Sequence, residues 1–447
     1  MNSSPTPSLR YAWYVVAVLM LAYISSFIDR QVLTLLVKPL KRDFQITDTQ
    51  YGLLVGLSFA LFYTFLGIPI GRMADRQNRK RIIVWGITIW SLMTALCGIT
   101  STYNQLFLAR IGVGIGEAAL SPAAYSLITD LFPRHKLGTA LGVYNIGVYL
   151  GSGLSILLVA LILKLVNIEG TWTLPIFGDI FPWQSVFFIV GFPGLLIVLL
   201  MLFTVHEPTR QHSTKIAVPI ADIWVYFLAN RKAILCLFVG IAFMAFGSYS
   251  TTAWTPALLE RRYGLTATEA GLTLGTIITI FSTGGVIFGG RYGDYLTKQG
   301  YTDAKMRVGF IGMALALAVS VILLLGFVVG VQSLVFFLVL LVLMCFFSSM
   351  PYGAATAAVQ EMIPAPMRAT FSALFLFCVN LIGLAGGPSM VGLLNDKYFG
   401  DPNQLHFSLA ITLVFGCSIS VWLLRSGLGA FARCVEASKL ENTSSAL

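Results

Sequence analysis

The sequence predicts an all-α membrane protein, with twelve transmembrane helices in two pseudo-symmetric six-helix halves. Three observations predict it: a chain too short of charge to dissolve, twelve apolar runs of membrane-crossing length, and matching landmarks in the two halves.

The shortage of charge comes first. Of 447 residues, 57% are hydrophobic and 11% are charged, and the mean hydropathy is +0.83. Soluble domains carry about 25% charged residues. A chain with less than half that share cannot cover its surface, whereas lipid solvates an apolar exterior and leaves polarity to loops and internal pathways. The net charge of +10 sits in short clusters between apolar runs. That is the pattern of topology determinants, and it argues against nucleic acid as a partner. Cys97, Cys236, Cys345, Cys378, Cys417 and Cys434 have no CxxC spacing, and five of them lie inside apolar runs, so they read as packing residues. His135, His206, His212 and His406 fall near helix ends or in loops and form no HExxH motif. Neither a metal nor a cofactor is expected.

The apolar runs give the elements. A spanning helix needs roughly 20 mainly apolar residues. On that scale the spans fall near 11–37, 48–71, 81–101, 104–131, 138–165 and 184–205, then 233–259, 267–290, 306–328, 331–362, 368–395 and 405–425. The first run is longer than a signal-peptide core and lacks a small-residue cleavage site, so it reads as a retained helix. The resulting organisation is a bundle over 1–205, a linker over 206–232, a second bundle over 233–425 and a cytoplasmic tail over 426–447. Within the linker, the amphipathic stretch Ile220–Leu228 suits a helix lying at the membrane interface. With the N-terminus inside, twenty of the 29 lysines and arginines face the cytoplasm and seven the opposite side. Two, Arg30 and Arg110, lie within helices. This bias predicts that both termini are cytoplasmic.

The halves echo each other. Gly71-Arg72-Met73-Ala74-Asp75 leaves the second span as Gly290-Arg291-Tyr292-Gly293-Asp294 leaves the eighth. The fourth span ends Asp130-Leu-Phe-Pro133 and the tenth Glu361-Met-Ile-Pro364, each followed six residues later by a threonine, Thr139 or Thr370. Duplicated units of this kind build transporters whose site lies where the repeats meet.

These residues carry a resemblance. The loop Gly71 to Arg81 resembles the signature between helices 2 and 3 of the major facilitator superfamily, with Asn78 in place of the usual glycine. Asparagine also tolerates a left-handed turn. The resemblance implies a cytoplasmic gate in which Gly71, Asp75, Arg76, Arg79 and, in the second copy, Asp294 take part through ion pairs. Leu106 to Glu117 resembles the helix 4 motif whose arginine, here Arg110, is tied to proton coupling. Gly138, Gly147 and Gly151 match the helix 5 glycine motif of antiporters, but Ser152 replaces its proline, and the glycines also let helices pack closely. More narrowly, Phe27-Ile-Asp29-Arg30, Gly116-Glu117-Ala118, Asp130-Leu-Phe-Pro133 and Gly151-Ser-Gly-Leu154 resemble the spinster family. Its animal members export sphingosine phosphate or lysophospholipids. The resemblance implies a multi-pass protein of the cell inner membrane, acting as a monomer.

The chemistry lies in four charges within the membrane. A charge at the bilayer centre costs about 2.5–3.5 kcal/mol on insertion scales, so Asp29, Arg30, Arg110 and Glu117 call for a reason. At about 1.5 Å per residue, Asp29 and Arg110 lie at comparable depth. Glu117 is two turns farther in, on the same helix face as Arg110. A desolvated carboxyl holds its proton more tightly and a nearby guanidinium loosens it again. Asp29 and Glu117 are therefore the candidate proton carriers, with Arg110 the modulator. As the resemblance implies, Arg30 and Arg110 contact an anionic head group, completing a substrate site of Arg30, Arg110, Glu117 and Asp29. The bland alternative is an ion-pair cluster that only joins two helices. The second half has no equivalent cluster, only polar or aromatic residues such as Tyr249, Trp254, Ser348 and Asn380. The function expected is proton-linked transport of a small amphipathic substrate by alternating access. A carrier for an organic anion, sugar or drug is the alternative. An enzyme would need a nucleophile and base paired in the bilayer, and none is evident; a channel does not fit a duplicated chain with gate motifs.

Overall fold

The computed structural model describes residues 8–166, 172–174, 178–208, 219–364 and 367–444. Among them, eleven helices are long and apolar enough to cross a bilayer, and Arg134–Leu165, with its shorter apolar stretch Gly151–Leu165, takes the remaining position. The fold is that of twelve spanning helices. One small antiparallel hairpin stands apart from them: β1 (Trp172–Leu174) pairs with β2 (Gly178–Ile180), with Thr173 opposite Asp179. The chain packs as two units, residues 1–215 with 259–279, and residues 216–258 with 280–447.

The first unit holds α1 (Leu9–Gln31), α2 (Val37–Phe44), α3 (Asp48–Val55), α4 (Leu57–Arg76), α5 (Arg79–Cys97), α6 (Tyr103–Glu117), α7 (Leu120–Leu131), α8 (Arg134–Leu165) and α9 (Ser185–Thr204). The first span, expected to run unbroken to 37, tightens after Gln31 into a 3-10 turn over Val32–Leu35 before α2 begins. Two backbone carbonyls at this turn carry side-chain bonds: the Thr34 hydroxyl donates to the Gln31 carbonyl at 2.7 Å, and the Tyr51 hydroxyl donates to that of Leu33 at 3.2 Å. Such cover is what a helix transition in an apolar setting requires. Asn78 does not form a left-handed turn. Its backbone is extended (φ −66°), and its side chain caps α5 by accepting from the Arg81 amide at 2.8 Å. An Asn cap satisfies a donor that glycine would leave open.

Close helix contact explains two glycines. A Cβ on Gly116 would lie 2.5 Å from the Trp90 nitrogen, and one on Gly114 would lie 2.7 Å from the Phe59 carbonyl oxygen. Thus α6 meets the backbones of α5 and α4 directly, which is the packing use of small residues in membranes.

The second unit begins with α10 (Ile220–Ala229), the helix expected in the linker. Trp224 is 60% exposed, while the Tyr226 hydroxyl donates to the Met362 carbonyl at 2.6 Å. An exposed apolar edge beside an anchored one is the habit of an interfacial helix. There follow α11 (Arg231–Tyr263), α12 (Ala267–Ile277), α13 (Thr283–Lys298), α14 (Ala304–Val328), α15 (Leu334–Met362), α16 (Arg368–Cys378), α17 (Gly387–Leu393) and α18 (Leu405–Ser444). The C-terminal end of α11 and all of α12 belong to the first unit. The division falls just past Pro256 within α11 and inside a π-helical segment, Ile278–Ser282, between α12 and α13. Prolines and π turns are the ordinary points where helices yield.

The last helix differs from expectation in length. It was to end near 425, yet α18 continues to Ser444. The reason lies in the spacing of Leu428, Phe431 and Val435, all buried, which keeps one face apolar beyond the span. The Cys434 thiol donates to Asn230 Oδ1 at 3.0 Å, so the extension touches the residue that precedes α11.

Candidate functional site

The four membrane charges meet in the first unit. Asp29, Arg110 and Glu117 are 0%, 1% and 2% exposed, respectively, and Arg30 is partly buried. Arg30 pairs with Glu117: Nε and Nη2 both reach Oε2, at 2.7 and 2.6 Å. Arg110 takes a different partner, donating from Nη1 to the backbone carbonyl of Asp29 at 3.0 Å. This carbonyl lies just before the end of α1, where helix carbonyls are short of internal donors. Among the described residues, both Asp29 oxygens, Glu117 Oε1 and Arg110 Nε have no hydrogen-bond partner. The Thr94 hydroxyl lies beside Asp29 as its nearest side-chain donor, although it makes no hydrogen bond of full geometry there. Two carboxyls and two guanidiniums therefore balance in formal charge while their hydrogen bonds do not. Such a cluster has capacity left for a proton or an anion.

A second ionic cluster, which the sequence did not single out, lies near the start of α3. Asp48 is 0% exposed and accepts from Lys41 Nζ at 2.5 Å and, bidentately, from Arg261 Nη1 and Nη2 at 2.7 and 2.8 Å. The fork geometry is the strong form of such a bond. It fastens the C-terminal end of α11 to α3, both in the first unit. The charge of Asp48 beside an apolar span was the available signal, but its partner is 213 residues away.

The expected gate residues divide. Arg79 is buried, and its guanidinium binds Asp130, Glu207 Oε1 at 2.7 Å and the Ser126 carbonyl at 3.1 Å. The Lys80 amide donates to Glu207 Oε2 at 2.9 Å. The signature loop is thus fixed to α7 and to the end of α9, all within its own unit, and Asp130 of the Asp-Leu-Phe-Pro stretch is one anchor. Arg76 is exposed. Among the described residues, a Cβ on Gly71 would meet Pro122 at an ordinary 3.7 Å. The side chain of Asp75 lies outside the described residues. In the second unit Asp294 accepts from Lys305 Nζ at 2.5 Å while remaining 70% exposed. Five of the six cysteines are buried and all are unbridged, and no group of three metal-ligating side chains occurs among the described residues.

A bundle of spanning helices with buried opposite charges and a repeated signature loop has the build of a secondary transporter. A sequence model described as Major Facilitator Superfamily matches residues 19–388, and the chain belongs to that superfamily. Within it the chain is similar to spinster proteins. It is similar to a crystal structure of a bacterial homologue of the human lysosomal transporter Spinster, inward-facing and unoccupied, with TM-score 0.77, 26% identity and coverage of 96% of this chain and 98% of that one. It is 29% identical over 409 residues to protein spinster homolog 1 of Xenopus laevis, covering 87% of this chain and 74% of the relative. An MFS-type efflux pump of Mycolicibacterium smegmatis is 28% identical over 421 residues, with 93% and 92% covered. A probable L-galactonate transporter of Escherichia coli is 24% identical over 307 residues, covering 65% of this chain and 63% of the relative. The chain is a multi-pass membrane transporter and not an enzyme.

Proposed function

We propose that the protein is a proton-linked carrier of a small anionic amphiphile of the lysophospholipid or sphingolipid type, working by alternating access. The observation that carries this reading is the uneven bonding of the buried cluster. Arg30 directs two donors at one oxygen of Glu117, while among the described residues the other oxygen and both oxygens of Asp29 make no hydrogen bond of full geometry. A buried carboxylate without donors is expensive to keep charged, and taking up a proton removes most of that cost. Arg30 cannot titrate. It serves either Glu117 or an incoming anion, so occupation of Arg30 by substrate releases Glu117 to accept a proton. Asp29, beside Arg110 and Thr94, is the second carrier, and Arg110 sets its surroundings. The likeness to the spinster proteins supports the lipid-like cargo. In the same reading the protein acts as a monomer in the cell inner membrane with both termini in the cytoplasm, and the Gly71–Arg81 loop with Asp294 forms the cytoplasmic gate.

The test is transport in proteoliposomes. A labelled lysophospholipid should move in response to an imposed pH gradient, and Asp29→Asn and Glu117→Gln should each uncouple movement from the gradient. Movement that ignores the gradient, or that both substitutions leave intact, would defeat the reading. A second reading, an organic-anion carrier, is favoured by the likeness to the probable L-galactonate transporter, since a guanidinium binds a sugar-acid carboxylate as readily as a phosphate. Thermal stabilisation by competing ligands separates the two, because the bound folded state gains apparent stability.

A further inference from the structure

Arg30 is held by rings as well as by Glu117. Its guanidinium carbon lies 4.5 Å from the ring centroid of Phe59, 4.9 Å from that of Tyr63 and 5.0 Å from that of Phe27. Phe59 and Tyr63 are one turn apart on α4 and stacked, with centroids 5.1 Å apart. The Arg110 guanidinium lies 5.9 Å from the same Phe59 ring, so one ring serves both cations of the cluster. Phe59 is 1% exposed. Its backbone is where α6 meets α4 through Gly114, one turn beyond Arg110 on the helix that carries both. The ring and the two cations are thus referenced to one helix contact.

The chemistry of guanidinium makes this arrangement specific. Its hydrogen-bond donors all lie in its plane, while its faces are attracted to aromatic rings. With three rings packed around the guanidinium carbon, its N–H edge is the site of exchange, and Glu117 occupies that edge through Nε and Nη2. A lysine ammonium has neither plane nor edge and would not be oriented in the same way.

We propose that Phe59 is the positioning residue of the anion site, fixing Arg30 and Arg110 so that the oxyanion of an amphiphile, a carboxylate or a phosphate monoester, exchanges with Glu117 at the Arg30 edge. The proposal rests on the reading of this cluster as the substrate site and adds the element that orients it. A packing role alone would depend on the size of the ring; this role depends on its electrons.

The experiment uses purified full-length protein in neutral detergent and follows its thermal stabilisation by octyl phosphate, with octyltrimethylammonium as the control. Position 59 carries phenylalanine, its mono-, di- and trifluorinated forms, Phe59→Tyr or Phe59→Leu. Fluorine drains the ring's negative face with little change in shape. The half-saturating octyl phosphate concentration should rise in steps with fluorination, to about tenfold for Phe59→Leu, on the scale of a desolvated cation–π contact. Phe59→Tyr should stay near the parent value, and Arg30→Gln should abolish the response. Equal half-saturation along the fluorinated series, or no stabilisation of the parent protein by octyl phosphate, overturns the proposal. If pH-driven flux is absent while the fluorine-dependent response persists, the transport reading fails and the role of Phe59 stands. If flux is present with a flat response, the role of Phe59 fails.

Discussion

Asp48 and Asp29 are both fully buried aspartates of the first unit, yet they are bonded in opposite ways. Three donors from Lys41 and Arg261 converge on Asp48, whereas neither oxygen of Asp29 has a hydrogen-bond partner among the described residues. A saturated buried ion cluster resists change, because removing one member strands the others. An unsaturated one responds readily to a proton or a ligand, because either can complete it. The same residue type is saturated with donors at one place and short of them at the other, which suits the first to holding and, on the reading proposed above, the second to switching.

The largest expected effect comes from breaking the saturated cluster. Arg261→Ala should destabilise the protein by about 3 kcal/mol, since a buried carboxylate loses its bidentate partner. Arg261→Lys, which keeps the charge and loses the fork, should cost about half as much; thermal melts of purified protein read both. Glu117→Gln should cost about 2 kcal/mol, because Arg30 then lacks its charged acceptor, and should also remove the pH dependence of transport. Asp29→Asn should change stability by less than about 1 kcal/mol, because no well-formed hydrogen bond to the carboxylate is lost, while pH-driven flux in proteoliposomes disappears. A large fall in the stability of Asp29→Asn would erase the contrast with Asp48. The smallest effect belongs to Asp294→Asn, about 0.5 kcal/mol, because a carboxylate 70% exposed in its pair with Lys305 is largely screened by water.

Much of this arrangement was legible in the chain, for identifiable reasons. Asp29, Arg30, Arg110 and Glu117 stand out because a charge within an apolar run has few innocent explanations. The superfamily loop and its copy were visible because short motifs survive as letters. Asp48 and Arg261 were hidden among the charges that every span carries at its ends, and nothing local pairs two residues so far apart in sequence. The exchange of partners was hidden too: only the fold decides that Glu117 bonds Arg30 while Arg110 turns to the Asp29 carbonyl. Phe27, Phe59 and Tyr63 look like ordinary packing residues until the guanidinium is seen among them. The extension of α18 was missed because a polar tail was read by composition, although Leu428, Phe431 and Val435 already carry a helical period.

The central claim is that substrate and Glu117 compete for Arg30, and that the displaced carboxyl takes up a proton. It is tested most directly by adding a saturating anionic amphiphile to purified protein in weakly buffered solution and following proton exchange with a pH indicator. The account predicts proton uptake on binding that is lost in Glu117→Gln and unaffected by Asp294→Asn. Binding without proton uptake, or the same uptake in Glu117→Gln, would contradict it.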